Sequence, residues 1–164
     1  MERQDDPLYW LREHGPRLVA FARQFVDCRA DAEDVFQEAF VRFWPNREAA
    51  REPLLYLYRC VRNAAIDWGR SRQRRQRHEK AAGLGPAQCP PGARLAQAER
   101  EREIHEAVAK LPENQRQVVA LRVWSDMTFD QIGNVLSIPL STAHALYGTA
   151  MRNLQNELKK TVQP

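Results

Sequence analysis

Cysteine, glycine and long apolar runs are all scarce in this chain of 164 residues. The three cysteines, Cys28, Cys60 and Cys89, stand far apart without a CxxC pair, which argues against a disulfide framework and against a zinc site. Only 7 glycines and few alternating apolar and polar runs leave little that is typical of strands. No apolar stretch approaches the roughly 20 residues of a membrane-spanning helix, and the polar N-terminus is unlike a signal peptide. We therefore expect a cytoplasmic protein with reduced thiols and no membrane insertion.

Motifs for catalysis and for cofactor binding are missing as well. The sequence has no glycine-rich phosphate loop, no metal-binding motif and no nucleophile elbow. Its four histidines, His14, His78, His105 and His144, stand outside any metal-ligand pattern. We expect no catalytic residue, no metal and no cofactor, and we do not expect an enzyme.

What the chain has in abundance favours helices and an anionic partner. Leu, Ala, Arg, Glu and Gln are frequent, and 43% of the residues are apolar, which is enough for a core. The net charge of +4 fits a polyanion partner, although the distribution of charge matters more than the sum. That charge is concentrated in one stretch that contains Arg70, Arg72, Arg74, Arg75 and Arg77.

Apolar residues at helical spacing predict three helices in the first half, over residues 7–27, 31–44 and 53–69. Asp31 is the expected cap of the second helix, and Pro45 is expected to stop it. The sequence pattern also allows the third helix to continue beyond Gly69 into the Arg-rich stretch. Trp68 fits either the buried stripe of that helix or a surface for stacking on bases.

A change of composition marks a domain boundary. Residues 81–93 hold three glycines and three prolines, which cannot support a regular element and therefore predict a linker. The expected domains are residues 1–80 and 94–164.

The second half predicts a helix-turn-helix. A charged helix over 94–110 precedes a helix opened by Pro112, and a short helix from Thr128 to Leu136 follows, with Thr128 as its cap. A four-residue turn over 137–140 leads to a last helix that ends near Leu158. A short helix, a tight turn and a longer helix are typical of this motif.

Three segments resemble the sigma-70 family of bacterial transcription initiation factors. Residues 31–42, DAEDVFQEAFVR, resemble the segment that binds the clamp of RNA polymerase. Residues 56–67, YLYRCVRNAAID, with the arginines that follow, resemble the segment that melts and recognises the -10 element. LPENQRQV and TFDQIG, which begin at Leu111 and Thr128, resemble the -35 domain. Their order, with a linker after the second, is similar to the extracytoplasmic function (ECF) subfamily and covers nearly the whole chain.

The resemblance implies an all-α protein of two small domains: a three-helix bundle like sigma region 2, and a helix-turn-helix domain like region 4. It implies promoter-specific transcription initiation. The implied partners are core RNA polymerase, promoter DNA and an inhibitory anti-sigma factor, and the free chain is expected to be a monomer. The implied polymerase-binding residues are Asp31, Asp34, Gln37 and Glu38, and the implied -10 contacts are Arg62, Asn63, Asp67, Arg70, Arg72, Arg74 and Arg75.

Each of the first two sites has a plainer interpretation. The acidic face of the second helix equally fits a solvated surface that offsets the helix dipole. The arginine cluster equally fits a solvated basic stretch before a linker, rather than a set of phosphate contacts with strong salt dependence.

The predicted recognition helix departs from its family. From Pro139 to Met151 it contains no Lys, Arg, Asp or Glu, although guanine readout usually uses Arg or Lys. Ser137 stands in the turn where glycine is usual. Three interpretations stay open: weak binding to the -35 element, readout of DNA shape, or a protein-binding module. The residues implied for -35 contact are Arg116, Arg122, Thr128, Ser141, Thr142 and His144.

This departure keeps a second function open, that of a sigma-like decoy or interaction module that binds a regulator without driving transcription. A simple repressor or activator that uses only the helix-turn-helix fits less well, because it leaves the acidic helix and the arginine cluster unexplained.

Overall fold

The computed structural model of the chain describes residues 5–83 and 99–162, apart from the side chains at 100 and 101. The described residues contain helices and their connections but no strand, so the all-α prediction is confirmed. The chain divides into two compact units, Met1–Ala93 and Arg94–Pro164. The linker predicted over 81–93 lies outside the described residues from Leu84 onward, and its exact bounds stay a prediction.

The first unit is a bundle of three helices, α1 (Pro7–Ala22), α2 (Arg29–Phe43) and α3 (Pro53–Ala81). α2 packs on both of the others. The core of the first unit consists of large side chains that are almost fully buried: Leu18, Phe21, Val35, Phe43, Leu57, Tyr58 and Val61. Burial of such side chains stabilises a small bundle by about 1.5–3 kcal/mol each.

α1 ends at Ala22, five residues before the predicted end. Gln24 and Phe25 donate their backbone N–H groups to carbonyls three residues earlier, so the helix tightens and stops there. Val26 and Cys28 then turn inward and are buried in the connection to α2.

The predicted cap of α2 is wrong. The helix begins at Arg29 with Cys28 in the N-cap position, and no side chain caps it. Asp31 lies instead within the first turn, where its carboxylate faces Arg72 of α3.

Pro45 ends α2 as expected, because proline offers no N–H for a helical hydrogen bond. The chain continues as a 3₁₀ helix, Trp44–Ala49, before α3 begins at Pro53. α3 runs unbroken through Gly69 to Ala81, so the arginine cluster is helical throughout.

The second unit contains α4 (Glu99–Ala109), α5 (Glu113–Val119), α6 (Phe129–Leu136) and α7 (Leu140–Val162). Residues 94–98 of the predicted first helix lie outside the described part. α7 runs four residues beyond the predicted end at Leu158. One group of buried residues joins α4, α5 and α7: Ala107, Val108, Leu111, Val119, Ala150 and Leu154.

α5 does not end at Val119 but loosens into a π-helical segment, Ala120–Trp124. Leu121 is fully buried in this segment, whereas Val123 is 50% exposed. Short π-helical segments are frequent at functional sites.

Candidate functional site

The outer face of α2 carries the exposed members of the predicted polymerase-binding set. Asp34, Gln37 and Glu38 are exposed along one side of the helix. Glu38 forms an ion pair with Arg42 one turn later. Val41 lies on the same side and is 71% exposed, a large apolar surface that the sequence analysis did not single out. A carboxylate-rich face with an exposed aliphatic side chain suits docking on a partner with basic and apolar groups.

Asp31, the fourth member of that set, is placed differently. Its side chain is 29% exposed, and its carboxylate lies 3.8 Å from a guanidinium nitrogen of Arg72. Asp31 therefore faces α3, whereas the other three residues face solvent.

α3 separates its polar groups between two faces. Asn63, Asp67, Arg70 and Arg74 are exposed on the outer face. Arg62 is half-buried, and its Nε is buried without a hydrogen-bond partner among the described residues. A helix that presents an amide and several guanidiniums on one exposed face can contact both bases and phosphates.

Trp68 is neither fully buried nor free to stack on a base. Its ring is half-buried on the inner side of α3, and the guanidinium of Arg75 lies 5.6 Å from the ring centroid. Its Nε1 is buried without a partner in the described part of the chain.

Two sets of ion pairs join α2 and α3. Arg42, already bound to Glu38, lies 3.8 Å from the carboxylate of Asp67. Arg72 donates to Asp27 at 2.9 Å and faces Asp31 as well. The family resemblance implied that Arg72 contacts the -10 element together with the other arginines, but its side chain turns toward the start of α2.

The connection between α2 and α3 contains a second feature that the sequence analysis missed. The guanidinium of Arg47 lies 4.1 Å above the ring of Trp44 and donates to the Trp44 carbonyl. Phe40 stacks on Trp44, with 5.6 Å between the ring centroids. An aromatic residue three positions before an arginine was the available signal, and the resulting cation–π contact fixes this short connection.

The thiol of Cys60 is half-buried, and its surroundings disfavour reactivity as a nucleophile. Burial raises the pKa of Cys60 above its ordinary value, and the hydrogen bond from Tyr56 offsets this only in part. Its thiolate is therefore disfavoured near neutral pH, which argues against a nucleophilic role.

The helix-turn-helix is built as its sequence predicts. Thr128 accepts a hydrogen bond from the backbone N–H of Gln131, and the Gln131 side chain accepts one from the backbone N–H of Thr128. This capping box satisfies two N–H groups at the start of α6. Ser137 ends α6 in the left-handed conformation, with φ of 57°.

The first half of α7 presents an uncharged surface. Ser141 and Thr142 are exposed, and together with Ala145, Leu146 and Thr149 they line a shallow depression. Leu140 is 52% exposed at the edge of this surface. His144 is exposed as well, but its ring also contacts Phe129 of α6.

The two arginines expected to support -35 contacts both have partners inside the second unit. Arg122 donates to the carbonyl of Met127 at 2.8 Å, and its guanidinium lies 4.8 Å from the ring centroid of Phe129. Arg116 donates to the carbonyl of Ala109 at 3.5 Å. Phosphate contact by either residue would compete with these contacts.

The described residues hold no group of His, Cys, Asp and Glu side chains that could bind a metal ion. Within the same ranges, none of the helices combines the length and the apolar character that crossing a membrane requires.

Comparison with known proteins assigns each unit to a family. The family described as Sigma-70 region 2 matches residues 10–75. The family described as Sigma-70, region 4 matches residues 107–156. Together the two matches cover well over half of the chain, and they fall in the order that the sequence motifs predicted.

Several curated proteins are similar to the chain. A probable RNA polymerase sigma factor RfaY of Xanthomonas campestris is 29% identical, over 79% of this chain, which spans only about a third of that relative. ECF RNA polymerase sigma factor SigW of Bacillus subtilis is 25% identical, over 79% of this chain and 76% of the relative. RNA polymerase sigma-E factor of Streptomyces coelicolor is 28% identical, over 91% and 84%.

Two solved structures share the fold. The sigma factor RpoE of Bartonella quintana, in complex with the anti-sigma factor NepR, is 19% identical with a TM-score of 0.71, covering 94% of this chain and 96% of that one. CnrH, in complex with the cytosolic domain of CnrY, is 22% identical with a TM-score of 0.64, covering 92% and 85%.

Proposed function

Because this chain belongs to the sigma-70 family of RNA polymerase sigma factors, in its extracytoplasmic function subfamily, we propose that it directs core RNA polymerase to specific promoters. It acts in the cytoplasm, carries out no chemistry of its own and is a monomer when free. The observation that carries the proposal is the pair of exposed faces in one bundle, acidic on α2 and arginine-bearing on α3.

α2 docks on the polymerase clamp through Asp34, Gln37 and Glu38, with Val41 as the apolar part of the contact. Exposed carboxylates orient a partner as well as attract it, and the desolvated aliphatic surface contributes affinity. The exposed placement of all four residues supports this role.

α3 holds the -10 element. Asn63 and Arg62 stand nearest to the bases, with Asp67 beside them, and Arg70, Arg74 and Arg75 neutralise phosphates. The exposure of Asn63, Arg70 and Arg74 on one face of a continuous helix supports this division.

The second unit approaches the -35 element through Thr128, Ser141, Thr142 and His144, with weak or shape-dependent binding. The first half of α7 carries no charge, so direct readout of guanine has no arginine or lysine available there. Residues 1–80 and 94–164 act as the two functional domains, joined through 81–93.

An inhibitory partner is also proposed. Both solved relatives are sigma factors or similar proteins seen in complex with a second protein, named an anti-sigma factor in one case. The uncharged surface of α7, bordered by the exposed Leu140, offers apolar contact area for such a protein.

That same surface favours one alternative function. A chain that binds a regulator through α7 and binds polymerase without initiating would act as a sigma-like decoy. The absence of charge between Pro139 and Met151 is the specific observation behind this alternative.

The test is transcription in vitro with purified core polymerase, on promoters identified by mapping start sites after overproduction of the chain. Start sites that share upstream hexamers, and that depend on the chain in vitro, would support the sigma function. Binding to core polymerase without initiation from any mapped promoter would support the decoy instead.

A charge reversal identifies the docking face. Asp34→Lys should weaken binding to core polymerase, because it places a positive charge on the acidic face of α2. Glu13→Lys is the matched control, since Glu13 is exposed on α1 and lies outside the proposed face. Equal binding of the two variants would contradict docking through α2.

A further inference from the structure

We propose that Arg72 is a positioning residue for promoter binding: with Asp27 and Asp31 it fixes the arginine-rich end of α3, and it does not itself neutralise a phosphate. This inference rests on the proposed sigma function. The proposal assigns Arg72 a role different from that of the other arginines in the cluster. It also assigns Asp31 to a contact inside the first unit, and not to the polymerase-docking face.

The register of α3 places Arg72 on its inner face. Arg72 follows Trp68 by four residues and the buried Ala65 by seven, the spacing that keeps residues on one side of a helix. Arg72 and Gln76 are half-buried, whereas Arg70 and Arg74 are exposed on the outer face. Arg75 is exposed as well, but its guanidinium lies over the ring of Trp68. The guanidinium of Arg72 therefore does not share the direction of Arg70 and Arg74.

Two carboxylates hold that guanidinium. Arg72 Nη1 lies 2.9 Å from Asp27 Oδ2 and 3.8 Å from Asp31 Oδ2. The side chains of Arg72 and Asp31 are 31% and 29% exposed, so this longer contact is partly shielded from water. Asp27, which makes the shorter contact, is 82% exposed and binds Arg72 at the surface. Asp27 precedes α2 and Asp31 lies in its first turn, so the contact joins the start of α2 to the far end of α3.

The local charge disfavours a phosphate at this point. One guanidinium faces two carboxylates, so a phosphate that approached Arg72 would also approach a net negative site. Arg70 and Arg74 lie on the other face of the helix, and no ion pair within the described residues involves either of them.

The far end of α3 needs such a contact. Ala65 is the last buried residue of this helix, which the structure describes throughout, and the helix continues to Ala81. Beyond Ala65 the helix has little core to hold it, and an isolated helical end frays. Arg72 ties that end to α2, and the outward arginines thereby keep a fixed spacing relative to Asn63.

The experiment uses the full chain with saturating core polymerase and measures its affinity for fluorescent promoter DNA over a series of KCl concentrations. Arg74→Gln is the matched control for Arg72→Gln, because both remove one positive charge from the same helix. Loss of one phosphate contact should reduce the slope of log K against log salt by about 0.7–0.9. Arg74→Gln should show this reduction. Arg72→Gln should weaken binding several-fold with the wild-type slope.

The carboxylate partner gives a test of opposite sign. Asp27→Asn should weaken DNA binding, because it breaks the contact that positions α3. If Arg72 touched a phosphate, the same change would remove a repulsive charge and strengthen binding. Arg72→Lys keeps the charge and should recover part of the affinity lost in Arg72→Gln.

Three results would overturn the proposal: a reduced salt slope for Arg72→Gln, stronger binding by Asp27→Asn, or unchanged binding in both variants. Hydrogen exchange of the free chain provides a readout that does not depend on DNA. Faster exchange over residues 70–81 in Arg72→Gln and Asp27→Asn, with the wild-type rate over 7–43, should accompany the loss of affinity and excludes global misfolding. A wild-type chain that binds polymerase but no promoter would refute the sigma function, whereas the exchange data would still report on the contact.

Discussion

The imidazole of His144 meets the ring of Phe129 nearly edge-on, with 4.9 Å between the ring centroids and 71° between the ring planes. Tyr147 approaches the same ring at 5.5 Å, and the guanidinium of Arg122 lies 4.8 Å from its centroid. Phe129 thus contacts two side chains of α7 and one of the π-helical segment that precedes the helix-turn-helix. His144 has a packing role there in addition to any contact with DNA.

Replacing His144 separates packing from base recognition. His144→Ala should lower the free energy of unfolding of the second unit by about 0.5–1.5 kcal/mol, the usual contribution of an aromatic pair. His144→Phe should retain most of that stability, because it keeps a ring against Phe129. Urea denaturation measures the change, with hydrogen exchange over residues 113–162 assigning it to this unit.

Promoter binding by the same two variants tests base recognition. If His144 reads a base, His144→Phe should lose promoter preference although it is stable, because phenylalanine has no hydrogen-bonding nitrogen. Wild-type preference in His144→Phe would show that this side chain takes no part in recognition of the -35 element.

Gly133 permits the tight approach of α6 and the turn that follows it. A Cβ at this position would lie 2.6 Å from the carbonyl oxygen of Ile138, a backbone atom that cannot move alone. Gly133→Ala should therefore destabilise the second unit by about 1–3 kcal/mol, as overpacking usually does. Urea denaturation of the full chain would show this as an earlier transition of that unit.

Gly148 provides the matched control. It lies inside α7, and a Cβ there would meet nothing within 4 Å. Gly148→Ala should stabilise the unit by about 0.5–1 kcal/mol, because alanine favours a helix interior over glycine. Destabilisation by both substitutions, or by neither, would contradict the close approach at Gly133.

Local signals explain how much of this fold the sequence could predict. Apolar spacing located the helices, and Thr128 was the expected cap of α6, to which the structure adds the Gln131 half of a capping box. Neither signal depends on distant residues. The end of α1 and the cap of α2 were wrong, because hydrogen bonds in the connection and a contact with α3 decide them.

The candidate site was predictable in part for the same reason. Exposure of Asp34, Gln37 and Glu38 follows from helical periodicity, and the structure places all three as the pattern implied. The partner of Arg72 lies 45 residues away, so no local pattern names Asp27. The inner position of Arg72 could nevertheless have been predicted, because Arg72 continues the helical spacing of Ala65 and Trp68.

Ser137 occupies a position that favours glycine. Its φ of 57° lies in the left-handed region, which costs an L-residue with a Cβ about 1–2 kcal/mol. Ser137→Gly should therefore stabilise the second unit by about 0.5–1 kcal/mol after the entropy of glycine in the unfolded chain is counted. Ser137→Ala should give no such gain, since it keeps the Cβ, and equal stability of the two variants in urea would contradict strain at this turn.

Burial of His14 should make the stability of the first unit depend on pH. Burial lowers the pKa of His14 below its ordinary 6.5, the nearby Arg17 lowers it further, and Glu13 opposes them. The ring lies 5.1 Å from that of Trp10, in surroundings that favour the neutral form. At a pH above the pKa of His14 in the unfolded chain, the imidazole is neutral in both states, and burial of the neutral ring contributes fully to the free energy of unfolding. As the pH falls below 6.5 the unfolded chain binds a proton first, so the free energy of unfolding declines until the folded state is protonated as well.

His14→Gln should remove this decline, because glutamine does not titrate. Urea denaturation at a series of pH values from about 5 to 8 measures it, with hydrogen exchange over residues 7–43 assigning the change to the first unit. His78→Gln is the matched control, since His78 is exposed near the end of α3 and its replacement leaves His14 in place. If His14→Gln and His78→Gln lost stability on acidification to the same extent, burial of His14 would not be the cause of the decline.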